Sequence, residues 1–336
     1  MLTVSAVDFS TFENEAKAHQ VSLPLEQTEI WAKYQATVPG REAWKNLVIK
    51  DGSNLLALVS FMDYETHGYH FLRASHAPVW VVDCTEQHEK EVLNAVKDFV
   101  KKEFPKAVFM RMAVEHKSSL TQPVLSTRPY DATVVIDLAG GEDDVFSRMK
   151  KRGRRDVRKA LRECPAICAD ETEQASQSFD EYYPVMQDTG RRDHFVPAPQ
   201  KDFEQMLRML GPNHCRLYAA RIDGVVVSWS IVTINDMRAT RYYAAMATEV
   251  MRNHVSEVLV FHEILDLQKC GLVDYDLMGI GSDFAPSLLG LNEFKTKFID
   301  RVVDVAPDRD VPVNTAFYKA LQLMKKVKGL VSKVRK

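Results

Sequence analysis

The sequence is short of several things that would place it quickly. Its five cysteines, Cys84, Cys164, Cys168, Cys215 and Cys270, are odd in number and irregularly spaced. That excludes a disulfide framework and, with no secretory signal peptide legible, favours a reducing compartment. Cys164 and Cys168 form the one close pair, and without a second Cys/His pair beside them a zinc site lacks ligands, so no metal is expected. No apolar run reaches the ~20 residues that cross a bilayer. A Walker A loop, a G-x-S-x-G elbow and an H-E-x-x-H helix are all missing. His76, His194, His214 and His262 stand at no motif spacing from a Ser or Cys nucleophile. Hydrolase and kinase chemistry lose their support.

What is present is an ordinary globular composition, 46% hydrophobic and 27% charged over 336 residues, a length that predicts two domains. The formal net charge of -2 conceals an asymmetry. Between Arg148 and Arg162 there are nine basic residues and one acid, Asp156, and from Val313 to Lys336 seven Lys/Arg and no acid. Localised positive charge in a near-neutral chain points to an anionic partner.

The order of elements is written twice. In the first half, strands at Asn46–Lys50 and Leu55–Met62 flank the turn signal Asp51-Gly52. Strands at Tyr69–Arg73 and Val79–Val82 follow, then a helix over Glu86–Phe104 and a strand at Ala107–Met112. In the second half, Arg216–Ile222, Asp223-Gly224 and Val225–Ile234 repeat the hairpin. Arg238–Ala244, a helix over Val255–Leu267 and a strand Val273–Met278 complete it. The two Asp-Gly turns lie 172 positions apart, as a duplicated α/β unit with mixed sheets predicts. The joint falls at the strand Ala132–Leu138, the Gly140-Gly141 break and a long basic helix starting near Glu142.

Two stretches carry candidate chemistry. On a helix, Lys151, Arg154, Arg155, Arg158 and Arg162 fall three or four apart and make one cationic face able to neutralise several phosphates, with Lys159 beside it; a merely solvated face is the competing reading. The strand ending at Met278 opens into a loop with Gly279, Gly281, Asp283 and Pro286 that delivers Phe294-Lys295, and loops at strand ends are where α/β proteins place chemistry. Tyr242-Tyr243 lies in an alternating strand. Trp31 and Lys33 follow Gln27 near the start of the first half.

These residues resemble the FemABX peptidyltransferases, the Fem-type enzymes of peptidoglycan interpeptide bridges. The likeness is carried by Arg154-Arg-Asp-Val-Arg-Lys-Ala160, Thr189-Gly-Arg-Arg-Asp-His-Phe195, Tyr242-Tyr243, and Tyr275-Asp-Leu-Met-Gly279 through Gly290-Leu-Asn-Glu-Phe-Lys-Thr-Lys-Phe298. It implies two tandem acetyltransferase-like (GNAT-like) domains: residues 1–139 with 308–336 packed back as a C-terminal helix, and residues 140–307. A stripe of Phe317, Leu321, Met324, Val327, Leu330, Val331 and Val334 would dock that helix. No heptad run marks a coiled-coil arm, so the chain looks like the armless type.

By motif match, Phe294 and Lys295 would engage the acceptor end of aminoacyl-tRNA and the transfer itself, with Asp283 and Glu293 as the nearest acids in sequence. Lys33, Trp31, Tyr242, Tyr243 and Arg192 would meet the precursor. Lys151, Arg154, Arg155, Arg158 and Lys159 would hold the tRNA. Many relatives carry an arginine and an aromatic after the segment ending at Phe195, whereas this chain reads Val196-Pro-Ala-Pro-Gln-Lys-Asp-Phe203, leaving Lys201 or Arg192 as substitutes.

The resemblance therefore implies a cytoplasmic, monomeric aminoacyltransferase with aminoacyl-tRNA as co-substrate and no other cofactor. Its acceptor would be a UDP-linked or lipid-linked muramyl peptide, with a peripheral contact at the inner membrane face as an option. Two other readings stand beside it. One is an acyl-CoA-dependent N-acyltransferase, which the absence of glycine around Val82–Glu86 and Met251–Ser256 argues against, because a pyrophosphate-gripping turn needs close backbone approach. The other is a non-catalytic module binding RNA or an anionic membrane.

Overall fold

The computed structural model describes residues 2–299 and 301–334, with 328–334 as backbone only. Residues Met1–Tyr130 with Val305–Lys336 form one compact unit and Asp131–Asp304 another. The chain opens with β1 (Leu2–Val7), α1 (Phe9–Ala18), α2 (Glu29–Gln35), β2 (Arg41–Asp51), β3 (Asn54–Thr66), β4 (Tyr69–Ala74), β5 (Val79–Trp80), α3 (Glu86–Glu103) and β6 (Ala107–Ala113). The second unit holds β7 (Ala132–Asp137), α4 (Glu142–Arg148), α5 (Lys151–Glu163), β8 (Ile167–Asp170), α6 (Thr172–Gln177), α7 (Tyr183–Asp193), α8 (Gln200–His214), β9 (Cys215–Ile222), β10 (Val225–Asn235), β11 (Arg238–Met246), α9 (Val255–Lys269), β12 (Asp274–Gly279), α10 (Asn292–Lys295) and β13 (Val303–Asp304). The chain returns to the first unit with β14 (Asp308–Pro312) and α11 (Thr315–Val334).

Each unit is built on one mixed sheet. The first runs β1-β2-β3-β4-β6-β14 with β5 on β3, the second β13-β7-β12-β11-β10-β9-β8. In both, two antiparallel hairpin pairings lead to one parallel pair, β4 with β6 and β11 with β12, crossed over by a helix, α3 or α9. The α/β mixed-sheet class read from the sequence is the class observed.

Local chemistry explains the elements. Thr85 caps α3 by accepting from the His88 N–H at 3.2 Å, Glu86 and Glu89 sit in its first turn and Lys101 and Lys102 in its last, and Val92, Leu93, Val96 and Val100 face the core. Asp223 and Gly224 both have positive φ, 50° and 80°, as the two-residue turn of a β-hairpin requires. In the second core Trp229 is fully buried, its indole N–H donating to the Tyr182 carbonyl at 2.8 Å with Phe179 and Phe203 packed edge-on against it.

Four expectations change. The strand expected at Ala132–Leu138, at the joint and counted with residues 1–139, is Ala132–Asp137 and lies in the second sheet between β12 and β13. The long basic helix is two helices, because Met149 and Lys150 are extended, with ψ of 149° and 146°. Arg154 donates to the carbonyls of Ser147 and Met149 and so caps the end of α4. The first hairpin turns on Gly52-Ser53, since Asp51 still pairs with Asn54. The C-terminal helix docks through Tyr318, which is buried, and Leu321, which is partly so. Phe317, Met324 and Val327 of the predicted stripe are exposed, and Leu330, Val331 and Val334 lie outside the described side chains. Periodicity does not mark the short strands β1, β8 and β14.

Candidate functional site

The second sheet fails to close at one place. Parallel pairing of β11 with β12 covers only Arg238 with Asp274, Ala239 with Tyr275, and Thr240 with Asp276. β11 nevertheless continues to Met246 along β10. Its register there passes from Arg241 to Tyr243, a bulge at Tyr242, the kind of irregularity that re-aims side chains beside functional sites. On its other edge β12 pairs regularly with β7 up to Asp276 and resumes only at Gly279. Met278, in this gap, holds a left-handed φ of 64°, an uncommon conformation for a non-glycine residue. Its N–H donates to Asp276 Oδ1 at 2.6 Å.

The Met278 and Gly279 carbonyls, turned by this distortion, accept from Lys295 Nζ at 3.1 and 2.8 Å. Burial, helped by the nearby Arg241 guanidinium and opposed by Asp276, pulls Lys295 down to about 8. An ammonium has three N–H donors and two are committed, so one remains for a substrate oxygen. Beneath it, the fully buried Glu263 accepts from Arg241 Nε at 3.0 Å and from the Tyr275 and Ser230 hydroxyls. This network fixes β10, β11, α9 and β12 to one another. Burial works against the Arg241 charge, but Glu263 holds its pKa above the ordinary value. Arg241 and Glu263 are missing from the sequence reading, and Asp276 enters it only inside the Tyr275–Gly279 motif with no role of its own; only an intramolecular partner makes a mid-strand arginine informative.

The loop itself is held by small residues and one amide. Asn292 clamps Gly281, accepting from its N–H at 2.7 Å and donating to its carbonyl at 2.8 Å. A Cβ on Gly281 would stand 2.3 Å from the Leu289 nitrogen, so only glycine allows this approach. Phe294 is partly buried and meets the core residue Phe298 edge-on at 5.5 Å.

The same turn is bolted to the basic helix. Gly153 of α5 lies where a Cβ would come within 1.9 Å of the Lys297 carbonyl. Lys297 pairs with Asp156 at 3.3 Å and Glu257 at 2.9 Å, and Arg152 reaches Glu293. Gly153, Val157 and Ala160 face inward. Outward, Lys151, Arg152, Arg155, Arg158, Lys159 and Arg162 are exposed and, with Arg154, line a concavity of about 900 Å³. Arg154, spent on α4, is the least available of them. The cationic face and Lys295 thus belong to one mechanical assembly within the second unit.

Other predicted residues land elsewhere. Tyr242 and Tyr243 meet edge-on at 5.0 Å, and Tyr243 packs on Phe203, so one ring serves the core while Tyr242 rides the bulge. Arg192 is engaged by both carboxylate oxygens of Asp193 and by the Met246 carbonyl at 2.7 Å, which ties α7 to the end of β11. Asp283 is exposed and makes no hydrogen bond or ion pair with another described residue, so the acid that Lys295 senses is Asp276 instead. In the first unit Trp31 is only 5% exposed, a core residue set edge-on to Tyr34. Lys33 is exposed and paired with Glu29 at 2.9 Å, one helical turn away. Cys168 sits in a buried setting that pushes its thiol up to about 12. Among the described residues the metal-ligating types that do converge are Cys84, Glu89 and His116. Glu89 is occupied there, accepting from the backbone N–H groups of Glu115 and His116 at 2.8 and 2.7 Å.

Residues 148–296 match the acetyltransferase (GNAT) domain family, a span that takes in the basic helix, the open strand pair and the Phe294-Lys295 turn. The second unit is therefore similar, over most of its length, to a GNAT domain. Among solved structures, the crystal structure of FemX superposes with a TM-score of 0.72 at 15% identity, covering 96% of this chain and 100% of that one. A tandem GNAT protein from the clavulanic acid biosynthesis pathway gives 0.56 at 10% identity, with 93% and 99% covered. L-PGS from Bacillus licheniformis gives 0.54 at 11%, with 96% and 97% covered. No curated protein matches the chain by sequence. At these identities the likeness establishes the fold, and the Fem-type resemblance read from the motifs has its counterpart in a FemX fold over nearly the whole chain.

Proposed function

We propose that this chain is an aminoacyltransferase that moves an amino acid from aminoacyl-tRNA to an amino group of a peptidoglycan precursor. The observation that carries the reading is the joining of a phosphate-sized cationic face on α5 to a lysine set at the unzipped end of β12. An RNA end gripped by the first would present its ester to the second. The amine nitrogen adds to the ester carbonyl carbon, the C–N bond forms, and the C–O bond to the ribose breaks. The ribose oxygen leaves with a proton, and the amine gives one up. The ester is already activated, so the reading calls for no cofactor beyond the tRNA.

Holding the two reactants in register can supply about 7–11 kcal/mol of the barrier. The remaining Lys295 donor, charged below pH about 8, would meet the oxygen on which negative charge develops. Asp283 remains a candidate acid for the transfer step, and Lys33, Tyr242, Tyr243 and Arg192 candidates for handling the precursor. A FemX fold and the Fem-type motifs support a muramyl-peptide acceptor, UDP-linked or lipid-linked.

The test is transfer of labelled amino acids from a pool of charged tRNAs to both precursor forms, with products weighed by mass spectrometry. Lys295→Ala should lower transfer by about 10²-fold or more with unchanged circular dichroism. Wild-type rates in that variant would sink the proposal. The GNAT match favours one second reading, an acyl-CoA donor; Lys295-dependent transfer from acetyl-CoA, with none from charged tRNA, would put it in first place.

A further inference from the structure

The C-terminal helix leaves most of its apolar surface facing away from the unit it packs on. Its inward face sets the buried Tyr318 and the partly buried Leu321 against Phe71, Val108 and Phe109 and is otherwise held by polar groups. The Tyr318 hydroxyl donates to the Pro123 carbonyl at 3.1 Å and bonds Asp310 Oδ2 at 3.0 Å. Gln322 reaches Gln122 at 3.3 Å, and Lys325 Nζ donates to the Val124 carbonyl at 3.1 Å. Its outward face is apolar. Ala316, Ala320, Leu323 and Val327 follow three or four apart, one stripe on a helix, and all are exposed, Leu323 by 64% and Val327 by 51%. Met324, 52% exposed, widens the stripe, and Lys319 and Lys326, also exposed, border it seven residues apart.

An amphipathic helix of a globular domain normally turns its apolar side to the core. Here the core contacts of Tyr318 and Leu321 and tertiary hydrogen bonds hold a second apolar side toward solvent, a cost that a partner would recover. We infer that α11 is a membrane-surface helix that lays this stripe into an anionic lipid bilayer, with its lysines on the headgroups. Three observations favour lipid over a second copy of the chain. From Val313 to Lys336 there are seven basic residues and no acid, so an isologous pairing about the stripe would set cation against cation, whereas anionic headgroups complement the lysine border. The helix is 20 residues long, roughly 30 Å of contact. Among the described residues no helix is long and apolar enough to cross a membrane, and a helix with an exposed apolar face and a lysine border lies in the interface instead. This inference stands apart from the transferase reading, because α11 belongs to the first unit and its test involves no turnover.

The experiment is cosedimentation of the full chain with vesicles of phosphatidylglycerol and phosphatidylcholine, against vesicles of phosphatidylcholine alone. Wild type should bind the anionic vesicles and release progressively with salt. The pair Leu323→Glu and Val327→Glu, on exposed positions, should lose at least about tenfold in partitioning with unchanged circular dichroism. The pair Lys319→Glu and Lys326→Glu should lose roughly tenfold or more on anionic vesicles and little on neutral ones. Absence of wild-type binding to the anionic vesicles would overturn the inference, as would equal binding by L323E/V327E. So would a concentration-dependent dimer in sedimentation equilibrium that the same pair dissolves, which would assign the stripe to a second copy.

Discussion

The two units share one topology, and they differ at the parallel strand pair. In the first, β4 pairs with β6 from His70 to Ala74, with one register shift between His70 and Leu72 but no parting of the strands at the end. The far edge of β6 is covered by β14, and the arginine at that seam, Arg111, is closed off by both oxygens of Asp310 at 2.7 and 3.1 Å. Tyr318 and the Leu125 N–H add to the same carboxylate. In the second unit the corresponding pair parts after three residues, β12 is distorted at Met278, and a lysine with a spare donor occupies the end. The two copies of the scaffold thus differ in whether the end of the parallel pair is closed by a buried ion pair or left open beside a lysine.

The sharpest way to test that division is to break the closed seam. Asp310→Ala leaves Arg111, 1% exposed, without its counter-charge, and removing one partner of a buried pair costs about 3–5 kcal/mol. Urea denaturation should show that loss, while any transfer activity per folded molecule stays near wild type. A loss of activity without a loss of stability would place the first-unit seam in the chemistry and erase the contrast.

On the open side, Gly153→Ala should be the next largest effect. The added methyl falls 1.9 Å from the Lys297 carbonyl, and overpacking of that kind costs about 1–3 kcal/mol. The displaced turn carries Lys295, and an ångström of misplacement can cost up to about 10²-fold in rate. Gly141→Ala is the control, since a Cβ there meets nothing nearer than 4.0 Å. Equal activity in the two variants would show that the basic helix and the lysine turn act independently.

How much of this was legible in the sequence follows the range of the interactions. Hairpins, α3, α9 and the duplication are written locally, in Asp-Gly signals and in 3.6-residue stripes such as Val92, Leu93, Val96 and Val100. The break at Met149-Lys150 was not, because Arg154 makes it by reaching back across five and seven residues. Arg241 and Glu263 carried no signal, and Asp276 none of its own, because their meaning lies in partners brought together by folding. Trp31 was chosen by motif alone, and burial assigns it to the core. Of the C-terminal stripe Leu321 docks while Phe317, Met324 and Val327 stay exposed, since periodicity finds an apolar face and cannot say what covers it.

The smallest expected effect concerns the cost of keeping the open end charged. Lys295 falls from an ordinary 10.5 in the unfolded chain to about 8 in the folded one. Below pH about 8 both states carry the proton, and the folded state bears the full penalty of a desolvated ammonium. Between about 8 and 10.5 the unfolded chain binds the proton and the folded one does not, so stability attributable to this group rises with pH across that window. Lys295 is only partly buried, and solvent screening reduces the contribution to about 1 kcal/mol. Lys295→Met removes the titration, so the difference in urea midpoint between variant and wild type should favour the variant at pH 7.5 and shrink towards pH 10. Taking the difference cancels the tyrosines and cysteines that titrate in the same range. A constant difference across that range would mean that Lys295 keeps an ordinary ammonium, and that the parted strands of the second unit are no more costly than the closed pair of the first.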